Sequence, residues 1–250
     1  MRDPVKFPFA QRAGNRVLRR SIRWIWRKVV ARLFKWLVRA LVLVGLLVLA
    51  MRWVNPPITI TQIDAYWYHG QLARSWRSLD SIAPALQRAA VAGEDANFCN
   101  HYGFDIAAIR AVLQSGAGNG ASTISQQVAK NVFLWQGRSW FRKGLEAGFT
   151  GLIELLWGKR RILEVYLNVA EFDTATFGAE AASQAYFGKH AADLTEREAA
   201  GLVTVLPNPK ERSASAPSSA GKRRAAAILS GARPIAADGR DACFSTGRRG

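Results

Sequence analysis

The chain has 250 residues, 49% of them apolar, enough for one packed domain of about 200 residues plus an appendage. Its net charge is +17, but residues 1–39 hold twelve Lys/Arg against one acid, Asp3, and so carry eleven of the seventeen. The basic bias therefore belongs to an N-terminal arm that runs straight into an apolar segment, which points to a membrane surface and away from nucleic acid. Two cysteines, Cys99 and Cys243, make neither a disulfide framework nor a metal site, and both are expected to be unpaired.

Residues 1–32 read as a cytoplasmic juxtamembrane arm in which Trp24 and Trp26 stand among Arg19, Arg20, Arg23, Arg27, Lys28 and Arg32. The uncharged run Ala40 to Met51 is about 18 Å long as a helix, short of the roughly 30 Å a bilayer core requires. Extending it to 33–54 supplies the length and places Lys35, Arg39 and Arg52 near the ends, where long side chains can snorkel. A core helix should not carry so many arginines on its flank, and Val48-Leu49-Ala50 is a poor signal-cleavage site. The segment is expected to be an uncleaved transmembrane anchor, with the N-terminus in the cytoplasm and the rest of the chain outside the plasma (inner) membrane.

The domain is expected over 55–233. Pro56-Pro57 ends the anchor, and Ile58 to Thr61 alternates like a short strand. Ser81 and Pro84 start a helix over 81–95, and Asp105 caps another. Residues 114–121 have the composition of a flexible loop. Helices follow at 122–133, with Ser122 as cap, and at 139–157, 159–169, 179–187, 195–206 and about 221–231. Thr195 and Glu198 make a capping box, and Pro207 ends that helix. Residues 234–250 lack periodicity and are expected to be a disordered tail. Outside the anchor the fold class is mostly α.

Chemistry concentrates in three blocks. In the first, Glu94 and Asp95 close the Ala-rich helix, and the apolar approach Ala89 to Gly93 would desolvate Glu94 and raise its proton affinity toward that of a general base. Two acids at a helix C-terminus oppose its dipole, which favours function; a solvated acid pair is the competing reading, and this stretch alone leaves the two level. Asp95 is equally suited to holding the loop by backbone hydrogen bonds. His101, with only two other histidines in the chain, fits a structural role better than a metal cage. In the second block Gln126 and Lys130, and Gln127 and Asn131, are four apart on helical faces, and the N-terminus near Ser122 can hold anionic oxygens. In the third, Arg138, Arg142 and Lys143 can clamp phosphates, while Glu146 stands four residues after Arg142 and can be its intrahelical partner. Taken singly, both later blocks also read as solvated faces.

Together the blocks resemble the peptidoglycan glycosyltransferases of glycosyltransferase family 51. The likeness spans about residues 85 to 210 and rests on E-D-x-x-F-x-x-H-x-G-F-D (Glu94 to Asp105), G-A-S-T-I-S-Q-Q-x-x-K-N (Gly120 to Asn131), R-K-x-x-E (Arg142 to Glu146) and R-I-L-E-x-Y-L-N (Arg161 to Asn168). The resemblance implies a lysozyme-like helical fold and the monofunctional, membrane-anchored form of the enzyme. It also implies the reaction, polymerisation of lipid II into β-1,4 glycan strands with release of undecaprenyl diphosphate. On this chain it implies Glu94 as the base that deprotonates the acceptor 4-hydroxyl. Lys130 and Arg138 would stabilise the leaving diphosphate, with Arg142 and Lys143 nearby. Glu146 is implied as a second catalytic acid that orients groups or a divalent cation such as Mg2+, although the sequence requires no cofactor. Asp95, Ser122, Gln126, Gln127 and Asn131 would contact substrate. Partners implied are lipid II, the growing strand, membrane lipids and other cell-wall synthesis proteins. The family has a Gly-containing stretch after Y-L-N, whereas glycine is absent here between 171 and 177, so a turn there is expected to use Asp173 or a threonine.

Two rival classes remain at this point. A lytic enzyme on the same fold would use Glu94 as an acid but would have no need for a diphosphate clamp. An inactive scaffold for wall-synthesis complexes would tolerate Glu94→Gln.

Overall fold

The computed structural model describes residues 9–116, 120–137 and 139–245. It separates into two compact units, one ending at Leu47 and one beginning at Val48. Helix α1 (Phe9–Ala50) fills the first. Within it Trp26–Ala50, 25 residues, is long and apolar enough to cross a membrane, about 37 Å at the α-helical rise. Leu33, Phe34, Leu37, Leu41 and Leu43 are all exposed on it, as a lipid-facing helix requires. The helix stops short of the expected residue 54. The carbonyls of Met51 and Val54 instead accept from Arg161 Nη2, each at 3.0 Å.

The second unit is mostly helical, as the sequence pattern predicts. It holds α2 (Ile60–His69), α3 (Pro84–Glu94), α4 (Ile106–Ser115), α5 (Ile124–Phe133), α6 (Trp140–Leu156), α7 (Lys159–Val169), α8 (Ala179–Phe187), α9 (Glu196–Val205) and α10 (Ser219–Ala237). Residues 58–61 are not a strand. Thr59 and Gln62 form a capping box that starts α2, and the reciprocal side-chain bonds outweigh a four-residue alternation. Asp105 caps α4 through Ala108 N–H, and Thr195 with Glu198 caps α9, both as predicted. Helix α5 is capped by Thr123 rather than Ser122, because only Thr123 has a glutamine, Gln126, at the third helical position to close a capping box.

A small sheet runs in the order β1 (Ala73–Arg74), β3 (Thr176–Phe177), β2 (Glu171–Asp173), with β3 parallel to β1 and antiparallel to β2. The turn between β2 and β3 uses neither Asp173 nor a threonine for its left-handed residue. Ala175 takes that conformation, φ 54°, alone among the described non-glycine residues. Its N–H donates to Glu171 Oε1 and its carbonyl accepts from Ala73 N–H, which offsets a conformational cost of roughly 1–2 kcal/mol.

Two packings position the site. Helices α3, α9 and α10 lie against one another, and α5 lies against α6 and α7. Gly93 marks the first. A Cβ there would stand 2.6 Å from Val203 Cγ1 and 3.2 Å from Ile228 Cγ1, so the residue before Glu94 must be glycine for α9 and α10 to approach this closely.

The C-terminal region corrects two expectations. Cys99 and Cys243 form a disulfide across 144 residues. The segment after 233 is not a disordered tail over its described part, since α10 runs to Ala237 with Ile235 buried and turns follow to Ser245. Phe244 is buried beside Phe98, ring centroids 6.4 Å apart, and its carbonyl accepts from Arg160 Nη1. A single aromatic and a single cysteine leave no periodicity for a sequence reading to detect.

Candidate active site

Glu94 is the last residue of α3, and two distant helices meet it. Gln127 Nε2 of α5 donates to Glu94 Oε2 at 3.1 Å, and Arg224 Nη2 of α10 donates to Oε1 at 3.2 Å. The side chain is 12% exposed. Burial pushes its proton affinity above the ordinary carboxylate value, while Gln127, Arg224 and Arg212 pull it only partly back. The competing reading of a solvated acid pair is thereby removed. Tyr166, fully buried in α7, donates its hydroxyl to Gln127 Oε1 at 3.4 Å, which turns the amide's N–H groups toward Glu94.

Asp95 faces the other way. Its Oδ2 accepts the N–H of Ile124 at 3.0 Å, at the start of α5, and its Oδ1 pairs with His101 Nε2 at 2.8 Å. An acid on a helix N-terminus is well placed electrostatically. Asp95 and His101 therefore lock the loop after Glu94 onto α5, the loop-holding alternative.

Two clefts flank Glu94. One, of about 250 Å3, is lined by Glu94, Asp95, Asn97, Asp105 and Ser122 among others. The other, of about 760 Å3, is lined by Gln127, Lys130, Asn131, Asp64, Glu171 and Asn208 among others. The Glu94–Gln127 bond joins them. Gln126, expected to contact substrate, lines neither. It is buried, its Oε1 accepting the Thr123 N–H at 3.0 Å, and it serves as the cap of α5.

Behind Lys130 stands the third block. Glu146 is buried and takes one cation on each oxygen, Arg142 Nη1 at 2.8 Å and Lys143 Nζ. The intrahelical pairing of Arg142 with Glu146 is thus real. Ser139 Oγ accepts the Arg142 N–H and starts α6 there, fixing the cluster's first turn. Burial pushes the proton affinity of the Lys130 ammonium down, Glu146 and Glu94 oppose this, and Arg142 and Lys143 reinforce it. Lys130 thus lies within electrostatic reach of both acids. Arg138 lies outside the described residues. Among the described residues no group of three or more His, Cys, Asp or Glu could hold a metal ion.

A family model described as Transglycosylase matches residues 61–233, well over half of the chain. The chain belongs to the transglycosylase family. Curated relatives extend the likeness beyond that domain. A biosynthetic peptidoglycan transglycosylase of Jannaschia sp. is 52% identical over 215 residues, covering 84% of this chain and 90% of its own. Proteins of that name from Pseudomonas syringae pv. syringae and Pseudomonas aeruginosa are each 48% identical, over 86% and 81% of this chain and 93% and 91% of theirs. With a helix able to span a bilayer ahead of the domain, this is a membrane-anchored transglycosylase.

Sequence reasoning missed Arg224 and Arg212, two cations whose charge acts on Glu94, and the role of Tyr166. Tyr166 stood inside a recognised motif but carried no polar neighbour in sequence. Arg224 follows Arg223 on a helix with no acid nearby in sequence, and reads as ordinary solvated charge.

Proposed function

We propose that the chain is a peptidoglycan glycosyltransferase that polymerises lipid II into β-1,4 glycan strands and releases undecaprenyl diphosphate. The observation that carries the reading is one buried carboxylate of raised proton affinity, Glu94, set between two clefts with a cation cluster beyond it. Glu94 takes the proton of the acceptor sugar's 4-hydroxyl. The freed oxygen attacks the anomeric carbon of the growing strand's terminal sugar, and the bond from that carbon to the diphosphate breaks with inversion. Gln127, held by Tyr166, fixes the carboxylate for proton uptake. Lys130, Arg142 and Lys143 stabilise the negative charge that grows on the departing diphosphate, and Arg138 belongs to the same set by sequence. Glu146 holds Arg142 and Lys143 apart from one another and in place. Ser122 and Asn131 line the substrate clefts. A lytic enzyme with a neutral glycan leaving group has no use for such a cluster.

The carboxylates do not by themselves fit a resident divalent cation. Such a cation needs about six oxygen ligands, while Glu146 already holds two cations and Glu94 an arginine and an amide. Any Mg2+ would arrive with the diphosphate.

The topology we infer is N-terminus in the cytoplasm and domain outside the inner membrane, supported by the eleven-charge excess before residue 40. The Cys99–Cys243 bridge is a second support, since disulfides persist in oxidising compartments. Incubation of the full chain with lipid II should yield long glycan strands and undecaprenyl diphosphate. Cleavage of preformed glycan without polymerisation would put the lytic reading in its place. A reporter active only outside the cytoplasm should function when fused after Gly250, and activity of a cytoplasm-only reporter there would reverse the topology.

A further inference from the structure

The contact between α10 and the catalytic glutamate has no counterpart in the motifs that carry the family likeness. Arg224 Nη2 reaches Glu94 Oε1 at 3.2 Å and the Gly93 carbonyl at 3.4 Å, gripping both the carboxylate and the backbone immediately before it. Its Nε is buried and has no hydrogen-bond partner among the described residues, so the guanidinium lacks the full set of partners its donors could take. The grip is built on a rigid element. Ile228, Ala232 and Ile235 bury α10 against α3 and α9, and beyond its end the Cys99–Cys243 bridge ties the chain to the loop five residues after Glu94.

We propose that Arg224 is a positioning residue for glycosyl transfer, orienting the Glu94 carboxylate and holding its negative charge until the acceptor proton arrives. The inference rests on the reading of Glu94 as the base. The physical need is clear from the surroundings. Glu94 is faced by Gln127 and Lys130 from α5, by Tyr166 from α7, by Arg212 after α9 and by Arg224 from α10, while the carboxylate of the adjacent Asp95 is turned away onto α5. Gln127 and Tyr166 are neutral, and Asp95 is a like charge. Among the described residues, Arg224 is the one cation bonded to the carboxylate. Without it, burial dominates and favours the protonated acid, which cannot accept a proton. The carboxylate would also lose the bond that fixes one of its oxygens, leaving Gln127 to hold the other. Arg224 touches Glu94 and lines a separate cavity of about 320 Å3 beside Arg212. It therefore acts through the glutamate and is not placed on the reacting atoms.

The experiment uses the full, membrane-anchored chain with Arg224→Gln and Arg224→Lys. The first readout needs no substrate: the Glu94 carboxyl is titrated by infrared difference spectroscopy, its band assigned by its loss in Glu94→Gln. The expected result is titration at higher pH in Arg224→Gln and close to the unaltered protein in Arg224→Lys. The second readout is the pH profile of lipid II polymerisation. For Arg224→Gln the acidic limb should move to higher pH, so that the rate at about pH 6 falls on the order of tenfold relative to that at about pH 9, the scale set by loss of one adjacent opposite charge. A merely structural role would lower the rate equally at all pH values. Superimposable Glu94 titrations in the three proteins, or a pH profile of unchanged shape, would overturn the proposal. Failure of the unaltered protein to polymerise lipid II, with the carboxyl titration still displaced by Arg224→Gln, would instead remove the proposed function while upholding the hold of Arg224 on Glu94.

Discussion

Two buried carboxylates face the same lysine, and they are built for opposite tasks. Glu146, 4% exposed, has a cation on each oxygen, both from its own helix within four residues. Glu94, 12% exposed, has one guanidinium and one neutral amide, both from other helices. An acid that must organise cations is paired fully and locally. An acid that must take up a proton is left short of compensation, so its charge stays costly and its proton affinity high. The difference lies in the partners more than in the depth of burial.

The sharpest way to break this contrast is Glu94→Gln. It should fold, remain membrane-bound and lose polymerisation by at least about 10²-fold, the scale of general-base catalysis. It should also be more stable than the unaltered chain above neutrality. A carboxyl whose folded proton affinity is raised supports the fold at low pH, and that support is lost as pH rises through its folded value. Thermal midpoints followed against pH should diverge upward, with the Gln variant higher at alkaline pH. Near wild-type polymerisation by Glu94→Gln would pass the role of base to Glu146.

The next test separates the cations from the acid that holds them. Lys130→Ala should lower turnover more than it weakens lipid II binding, because the diphosphate's charge grows toward the transition state. Glu146→Gln should reduce turnover less but also lower the thermal midpoint, since Arg142 would be left buried beside a neutral amide. If Glu146→Gln matched Glu94→Gln in activity and gained stability, the two acids would not differ as argued.

The smallest effect on activity, and the most local on stability, belongs to the disulfide. Replacing Cys99 and Cys243 by serine should cost about 2–5 kcal/mol. The loss should be uneven. Hydrogen exchange should quicken in α3 and α10, which the bridge ties at the Glu94 side, and stay slow in α5 and α6 around Glu146. Uniform loosening would mean that the two sides are one cooperative unit.

The asymmetry also explains what could be read from the sequence. Local features were legible: the capping box at Thr195, the cap at Asp105, the apolar approach that desolvates Glu94, and the Arg142–Glu146 pair, each within a few residues of its partner. Relations formed across the fold were not. Arg224 lies 130 residues from Glu94 and Cys243 lies 144 from Cys99, and no period or spacing encodes either. The cap of α5 was placed at Ser122, one residue before Thr123, and the capping box there claims Gln126, which was expected to contact substrate. The turn at Ala175 needed the Glu171 side chain and the β1 backbone to hold it, neither of which propensity contains.

Arg224 follows Glu94 by 130 residues and Cys243 follows Cys99 by 144, and that has a consequence in time. A ribosome delivers the anchor first, then Glu94, and some 130 residues later the arginine that grips it. At the usual pace of synthesis, about 5–20 residues per second, the glutamate waits roughly 6–26 seconds before its last partner is made. A nascent chain thus carries its whole cation cluster and its base without the grip that fixes the base, and a chain cut short before residue 224 never acquires it. The base thus gains its fixed orientation only once α10 has been made and has packed against α3.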